Sequence, residues 1–245
     1  MFSPDQIDAV VFDMGGVFIV PNPVVISGIL QAGGLDTDLD PALAADAHYA
    51  GIRGITDLLA SQDVVEHDLN IWDHYDRDAF SCAGLAGDDL DRAVEIRGAA
   101  RRDGSQVHNV WNHRLAANIE AFHRISEVIP VAIVSNNDGT AIDQCRMFGI
   151  CQLEAGGPLP HVPAIVDSTT VGIAKPDPGI FDPAIDALGT ERGRTLYIGD
   201  TVHADVLGAG RAGLPVVQLD PLDLHADHDH WRLPDLDALA ARFGA

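Results

Sequence analysis

The chain has 245 residues, and its 37 acidic against 15 basic side chains give a formal net charge of −22 at pH 7. This surplus of acid argues against nucleic acid or an anionic membrane surface as a partner, because both would repel it. The sequence contains no apolar run long enough to span a membrane and no metal-ligand spacing among its three cysteines, and the residues MFSPDQID lead us to expect no secretory signal. We therefore expect a cytoplasmic protein with reduced thiols, whose oligomeric state stays open.

The first predicted strand is apolar and ends directly at Asp13, which is followed by Met14 and two glycines. Residues 21–115 then show no convincing strand pattern, and their apolar residues recur at helical spacing. We interpret this region as a helical insertion between the first strand and the rest of a sheet. Within it, Arg101 and Arg102 form an adjacent basic pair that we expect on a solvated surface, at the start of a polar break.

Beyond the insertion, short apolar runs alternate with stretches whose apolar residues lie three and four apart. This alternation is typical of right-handed crossovers and of a parallel sheet covered on both faces. We therefore predict an α/β fold with a Rossmann-like, doubly wound core at residues 1–20 and 116–245 and an inserted α-helical domain at 21–115. The predicted strands are 9–12, 131–134, 164–166, 195–198 and 215–219, and the predicted core helices are 115–128, 141–148, 180–188 and 204–212.

Polar residues follow the predicted strands where each strand ends. Asp13 follows the first strand, Ser135 the second, and Asp200 and Asp205 the fourth, while Lys175 lies between the third strand and the next helix. In open α/β sheets, ligands bind beyond the carboxyl ends of the strands. We therefore expect these side chains to meet at one edge of the sheet.

The chemistry of these residues is mutually consistent. Three crowded carboxylates repel one another unless cations compensate, and Lys175, the only lysine in the chain, supplies one positive charge. A bound Mg²⁺, which prefers oxygen ligands, would supply the remaining two charges. Ser135, with the backbone N–H groups of Asn136 and Asn137, would form an anion cradle at a helix start. The set indicates phosphoryl transfer with a carboxylate nucleophile.

Four stretches, in order, resemble the motifs of the haloacid dehalogenase-like (HAD) hydrolase superfamily. They are VVFDMGGV, VAIVSNN, GIAKPDPGIF and IGDTVHADVLGAGRAGLPVV. The resemblance extends over the whole core, and LPDLDALAARF is similar to the closing helix of that family. The insertion at 21–115 resembles the C1-type α-helical cap, which implies a lid that closes over the site.

The resemblance implies a role for each matching residue. Asp13 would be the nucleophile that forms a phosphoaspartyl intermediate, and Ser135 and Lys175 would hold the transferring phosphoryl oxygens. Asn136, after the second strand, and Arg53, in the insertion, are further candidates for binding substrate. The implied metal ligands are Asp13, Gly15 through its backbone carbonyl, Asp200 and Asp205, the last directly or through water.

Gly15 departs from the pattern of phosphatases in this superfamily, which usually carry a second aspartate there as general acid. The sequence favours a Mg²⁺-dependent phosphatase of a small phosphorylated metabolite, whose leaving group needs little protonation or takes a proton from the cap. Two alternatives stay open. One is a metal-free 2-haloacid dehalogenase in which Asp13 attacks carbon, and the other is a catalytically weak or silent member that binds a phosphorylated ligand or a partner protein.

Overall fold

The computed structural model describes residues 2–61, 71–103 and 110–245. Part of the expected helical pattern that begins at residue 65, and the end of the polar break at 104–106, lie outside these ranges. The strands are β1 (Ala9–Phe12), β2 (Ile19–Pro21), β3 (Trp111–Arg114), β4 (Val131–Ser135), β5 (Ile165–Asp167), β6 (Thr195–Gly199), β7 (Val216–Leu219) and β8 (Trp231–Leu233). The α-helices are α1 (Pro23–Ala32), α2 (Ala44–Ser61), α3 (Ile71–Cys82), α4 (Gly87–Asp103), α5 (Ala116–Val128), α6 (Ala141–Met147), α7 (Ser168–Val171), α8 (Asp182–Leu188), α9 (Leu207–Arg211) and α10 (Leu236–Phe243).

Six strands form one parallel sheet in the order β5-β4-β1-β6-β7-β8. In the centre, Val11 of β1 pairs with Ala132 of β4 on one side and with Tyr197 of β6 on the other. The chain first builds the sheet outward through β4 and β5, and then returns to the other side of β1 through β6, β7 and β8. The reversal of strand order at β1 is the position at which open α/β sheets bind their ligands. The predicted α/β class with a parallel sheet is confirmed.

Local sequence explains the central elements of this sheet. All four residues of β1 are buried, as the continuous apolar run AVVF requires for a strand covered on both faces. On one face, Val11 packs in a cluster with Val134, Phe181 and Tyr197. The segment between β5 and α8 begins as expected, because Asp177 caps the turn Pro178–Phe181 by accepting a hydrogen bond from the Gly179 N–H at 2.8 Å.

The chain divides into two compact units. The first comprises Met1–Phe18, Leu115–Asp220 and His228–Ala245, and the second comprises Ile19–Arg114 and Pro221–Asp227. The second unit has its own apolar clusters, one around Leu30, Phe80 and Val94 and another around Ile55 and Tyr75. The function of this unit as a lid stays a prediction.

Two expectations about the insertion are wrong. The region holds strand structure, because β2 pairs antiparallel with β3, which lies at the far end of the insertion. Neither strand has a recognisable pattern alone, since β2 ends in a proline and β3 reads WNHR, and their pairing depends on tertiary structure. Arg101 is also not solvated: α4 continues through it to Asp103, and its guanidinium is buried against Asp76.

Strand β8, at the edge of the sheet, is a further element that the sequence did not predict. It pairs with β7 and carries only three residues, Trp231 to Leu233.

No helix in the described part of the chain is both long and apolar enough to cross a membrane. All three cysteines have free thiols, as expected.

Candidate active site

The carboxyl ends of β1, β4 and β6 carry Asp13, Ser135 and Asp200, respectively. Because β1 lies between the other two strands, these residues come from three adjacent strand ends. Asp13 continues the pairing of β1 by donating its backbone N–H to the Ile198 carbonyl at 2.8 Å. All three side chains are nearly or fully buried, as the strand-end rule predicts for one site.

Lys175 lies at the centre of the charged cluster. Its Nζ lies 3.0 Å from Asp13 Oδ1 and 2.7 Å from Asp205 Oδ1, and it donates a hydrogen bond to the Tyr197 hydroxyl at 3.0 Å. The side chain of Asn136, the residue after β4, bonds both the N–H and the carbonyl of the Lys175 backbone. Its Oδ1 accepts from the Lys175 N–H at 2.8 Å, and its Nδ2 donates to the Lys175 carbonyl at 3.1 Å. The single lysine is therefore held in place beside the expected nucleophile.

Both carboxylate oxygens of Asp205 accept hydrogen bonds from donors of the protein. Its Oδ1 accepts hydrogen bonds from Lys175 Nζ and from the Tyr197 hydroxyl at 2.8 Å. Its Oδ2 accepts from the backbone N–H and the hydroxyl of Thr201, at 2.9 and 2.7 Å. These donors use the lone pairs of both oxygens, so Asp205 is arranged to orient Lys175 and the Asp200–Thr201 turn.

The charges in this cluster do not balance. Burial raises the pKa of the Asp13 carboxyl to about 7, with Lys175 opposing the rise and the charges of Asp205 and Asp200 adding to it. Burial disfavours charged Lys175, but the charges of Asp13 and Asp205 outweigh burial and hold its pKa above the ordinary value. Burial likewise acts against ionised Asp205, yet Lys175 and the hydrogen bonds from Lys175 and Thr201 lower its pKa. Lys175 is thus shared between Asp13 and Asp205, and its single positive charge does not neutralise the three carboxylates.

Two glycines let the backbone approach the acids closely. A Cβ on Gly16 would lie 2.2 Å from Asp200 Cγ, and the residue has a φ of +68°, in the left-handed region that favours glycine. A Cβ on Gly199 would lie 2.2 Å from Asp205 Cγ. The loop after β1 and the end of β6 therefore pack directly against the carboxylates, which fixes where they lie.

The donor set fits a divalent cation that prefers oxygen ligands. Ligand oxygens of Asp13, Asp200 and Asp205 all lie within 4.8 Å of one another. Asp13 Oδ1 is buried and, although Lys175 Nζ is close, it accepts no hydrogen bond of acceptable geometry from the residues that the structure describes. Three carboxylates against one lysine leave two negative charges, which a divalent ion such as Mg²⁺ would neutralise.

The anion cradle expected after β4 is only partly available to a ligand. Ser135 is buried at the strand end, as expected. The side chain of Asn136 holds Lys175, and the backbone N–H of Asn137 donates to Ser168 Oγ at 3.0 Å. Ser135 is therefore the better candidate for contacting a bound anion, and substrate binding by Asn136 stays a prediction.

A family model for haloacid dehalogenase-like hydrolases matches residues 7–213. The chain belongs to this family. The match includes the first three stretches that carry the resemblance in full, and the fourth from Ile198 to Gly213. The protein is therefore a HAD-like hydrolase.

Comparison with individual proteins is consistent with a HAD-like hydrolase but does not identify its substrate. The pyrimidine 5'-nucleotidase YjjG of Escherichia coli strain K12 is 36% identical over 88 residues, which are 36% of this chain and 36% of that protein. The matched segments span between 24% and 36% of the lengths of the curated relatives.

Two solved structures show the same fold as this HAD-like hydrolase. A HAD phosphatase from Thermococcus onnurineus has a TM-score of 0.55 and 19% identity, covering 97% of this chain and 98% of that one. A 2-haloacid dehalogenase from Pseudomonas syringae pv. Tomato DC3000 has a TM-score of 0.53 and 17% identity, covering 97% and 98%. Since a phosphatase and a dehalogenase share the fold, only the site can distinguish the two activities.

Sequence reasoning missed several residues that support the site of this HAD-like hydrolase. Gln218 of β7 donates to the Asp200 carbonyl at 2.7 Å, and His230 contacts the Gln218 Oε1 at 2.6 Å. A polar residue inside the apolar strand 215–219 was a signal that could have identified Gln218. Thr201 could have been found from its spacing, since it lies four residues before Asp205 and caps that turn.

Arg53, a candidate for binding substrate, lies in the second unit. Its guanidinium pairs with Asp227, with Nη1–Oδ1 at 3.3 Å and Nη2–Oδ2 at 3.2 Å. Nearby, the Thr56 hydroxyl contacts His225 Nε2 at 3.1 Å. The segment Pro221–Asp227 thus supplies partners for α2, and a substrate role for Arg53 stays a prediction.

Proposed function

We propose that this HAD-like hydrolase is a Mg²⁺-dependent phosphatase of a small phosphorylated metabolite, with Asp13 as nucleophile. The observation that carries the proposal is the buried Asp13 carboxylate, whose Oδ1 accepts no hydrogen bond within the described residues and lies 3.0 Å from Lys175 Nζ. A buried acid short of positive charge is suited to a substrate and an ion that bring charge with them.

In the proposed reaction, an Asp13 oxygen attacks phosphorus, and the bond between phosphorus and the ester oxygen breaks. The leaving group departs with the bonding electrons and takes a proton from solvent or from the cap, and a phosphoaspartyl intermediate remains. Water then attacks phosphorus and gives up a proton to solvent, the bond to Asp13 breaks, and phosphate and the free carboxylate are released.

Each neighbouring residue has a role in this scheme. Lys175 Nζ, fixed by Asp205 and Asn136, would donate to a phosphoryl oxygen, and the Ser135 hydroxyl would donate to another. Mg²⁺ held by Asp13, Asp200 and the Gly15 carbonyl would neutralise charge and keep Asp13 ionised. Asp205 would support these ligands through Lys175 and Thr201, since its own oxygens are occupied.

The chemistry of the acids favours phosphatase over dehalogenase activity. A metal-free attack on carbon requires one ionised carboxylate, whereas this site places the carboxylates of Asp200 and Asp205 within 4.8 Å of Asp13. Without a cation these neighbours disfavour ionised Asp13, which would weaken it as a nucleophile. The acid-rich site is therefore better suited to a metal-dependent reaction. The expected cytoplasmic location stays a prediction.

The test is an activity panel of phosphate monoesters and 2-haloacids, measured with Mg²⁺ and with EDTA. We expect Mg²⁺-dependent phosphate release that Asp13→Asn lowers by about 10³-fold or more. Asp143→Asn, which removes an exposed acid of α6, is the matched control and should retain wild-type turnover.

The same panel separates the alternatives. Halide release in EDTA that is lost in Asp13→Asn would establish a dehalogenase and overturn the proposal. Binding of phosphate esters without any turnover would establish a silent member of the family.

A further inference from the structure

The second unit contains a cavity that the proposed reaction does not use. It has a volume of about 50 Å³, and all the residues that line it belong to Ile19–Arg114. Trp72 and Trp111 form part of its wall, and Arg97 and Arg101 of α4 bring charge to it. A cavity of about 10–15 Å³ already holds one water, so this space accommodates a few waters or one small ion.

Arg97 is buried without the partners that a guanidinium needs. The residue is 6% exposed, and within the described residues its Nε and Nη1 atoms have no hydrogen-bond partner. Buried donors of an ionised group that make no hydrogen bond are costly, and burial lowers the pKa of Arg97, although the charge of Asp76 opposes the shift. Since Arg97 lines the cavity, an acceptor placed there would satisfy these donors.

The acids near Arg97 already accept hydrogen bonds from Arg101 or from the backbone. Asp76 is buried and accepts a hydrogen bond from Arg101 Nη2 at 2.6 Å, and Asp73 accepts one from the same atom at 2.9 Å. The Nε atom of Arg101 is itself buried and without a hydrogen-bond partner among the described residues. Asp40, the other acid on the wall, accepts from the Ala42 N–H at 2.9 Å. The two guanidiniums therefore keep three donor nitrogens, Arg97 Nε, Arg97 Nη1 and Arg101 Nε, that no acceptor among the described residues bonds.

We propose that this cavity, which we call the α4 cavity, binds a small oxyanion through Arg97 Nε and Nη1 and Arg101 Nε. The chemical class is a phosphate-like or carboxylate anion that fits the 50 Å³ space. Hydrogen bonds from guanidinium to oxyanions are charge-assisted and are stronger than those to water. The inference does not depend on the proposed phosphatase activity.

The test measures binding of phosphate, sulfate and acetate to the full-length protein in EDTA, at constant ionic strength. A Trp231→Phe background leaves Trp72 and Trp111 as the only tryptophans, and both line the cavity. We expect a saturable change in tryptophan emission and a rise in the unfolding temperature with at least one anion. Which anion acts identifies the ligand class as phosphate-like or carboxylate.

Variants of α4 then locate the site. Arg97→Gln should weaken binding by about tenfold or more, and Arg97→Lys should weaken it less because charge is kept. Arg92→Gln is the matched control, since it removes an exposed arginine of the same helix and should leave binding unchanged. Lys175→Met, which would remove the proposed phosphoryl contact beside Asp13, should also leave the emission change intact.

Three results would overturn the proposal. The first is no anion-specific signal in the wild-type chain, which would mean that water alone fills the α4 cavity. The second is equal binding by Arg97→Gln with a native circular-dichroism spectrum. The third is loss of the signal in Lys175→Met, which would place the anion beside Asp13.

Discussion

Gly15 and Gly16, which follow Asp13 and Met14, have different constraints. Gly16 has a φ of +68° and leaves no room for a Cβ beside Asp200, so it is required by geometry. Gly15 is not among the glycines with positive φ, so its φ does not by itself require glycine. Gly15 also has no acidic side chain that could protonate a leaving group.

The missing acid predicts the outcome of Gly15→Asp. A general acid is typically worth about 10²–10⁴-fold in rate, and it matters most when the leaving group is a poor one. We expect kcat/KM to rise by about 10²-fold or more for an alkyl phosphate and to change little for p-nitrophenyl phosphate. Steady-state kinetics on both substrates, with Gly15→Asn as the non-acidic control, checks this. An equal gain on both substrates would show that protonation does not limit the enzyme.

At the scale of elements, Asp167 joins three parts of the fold next to the site. Its carboxylate accepts backbone hydrogen bonds from Gly139 and Ala141, at the start of α6, and from Thr169 in α7. Asp167 is itself the last residue of β5 and lies opposite Ser135 in the register. One buried carboxylate thus holds the two helix starts that flank the end of β4.

Asp167→Ala should therefore destabilise the protein more than loss of an ordinary helix cap. Cap substitutions cost about 0.5–2 kcal/mol, and buried hydrogen bonds to a charged group about 1.5–3 kcal/mol. We expect the free energy of unfolding to fall by about 2–3 kcal/mol, measured by urea denaturation.

Asp235→Ala is the matched control for this cap. Asp235 is exposed and accepts one hydrogen bond, from the Ala238 N–H at 2.7 Å, at the start of α10. Its loss should cost about 1 kcal/mol. Similar costs for the two variants would contradict the special role of Asp167.

At the scale of the whole molecule, the surplus of 22 negative charges acts on stability. Like charges repel within a compact chain, and salt screens this repulsion, with a Debye length of about 10 Å at 0.1 M and 3 Å at 1 M. Exposed ion pairs such as Arg77–Asp91 lose strength in salt, but each contributes only about 0–1 kcal/mol. The loss of repulsion should therefore dominate the change in stability when salt is added.

We expect the unfolding temperature at pH 7 to rise by several degrees between about 0.02 and 0.5 M NaCl, because screening removes more repulsion than attraction. Differential scanning calorimetry in EDTA avoids any effect of bound metal. The rise should shrink as the pH approaches the pI of about 4.5, where the net charge vanishes. A flat or falling response at pH 7 would contradict this account.

The parts of the molecule that were predictable from sequence are those with local signals. The proximity of Asp13, Asp200 and Lys175 was predictable because strand-end acids and a single lysine are visible in the sequence. The pairing of β2 with β3 was not, because their partners lie about ninety residues apart and neither has a local pattern. The burial of Arg101 was hidden for the same reason, since it depends on Asp76 in another helix.

The second unit is built from two separate segments, Ile19–Arg114 and Pro221–Asp227, and this affects how recombination can replace it. Genetic recombination that replaced residues 19–114 alone would import a new α2 while keeping the old Asp227 and His225, the partners of Arg53 and Thr56. The inherited module is therefore discontinuous, and its two pieces must change together. A shuffled library that moves both segments should yield more folded chimeras than one that moves the long segment alone.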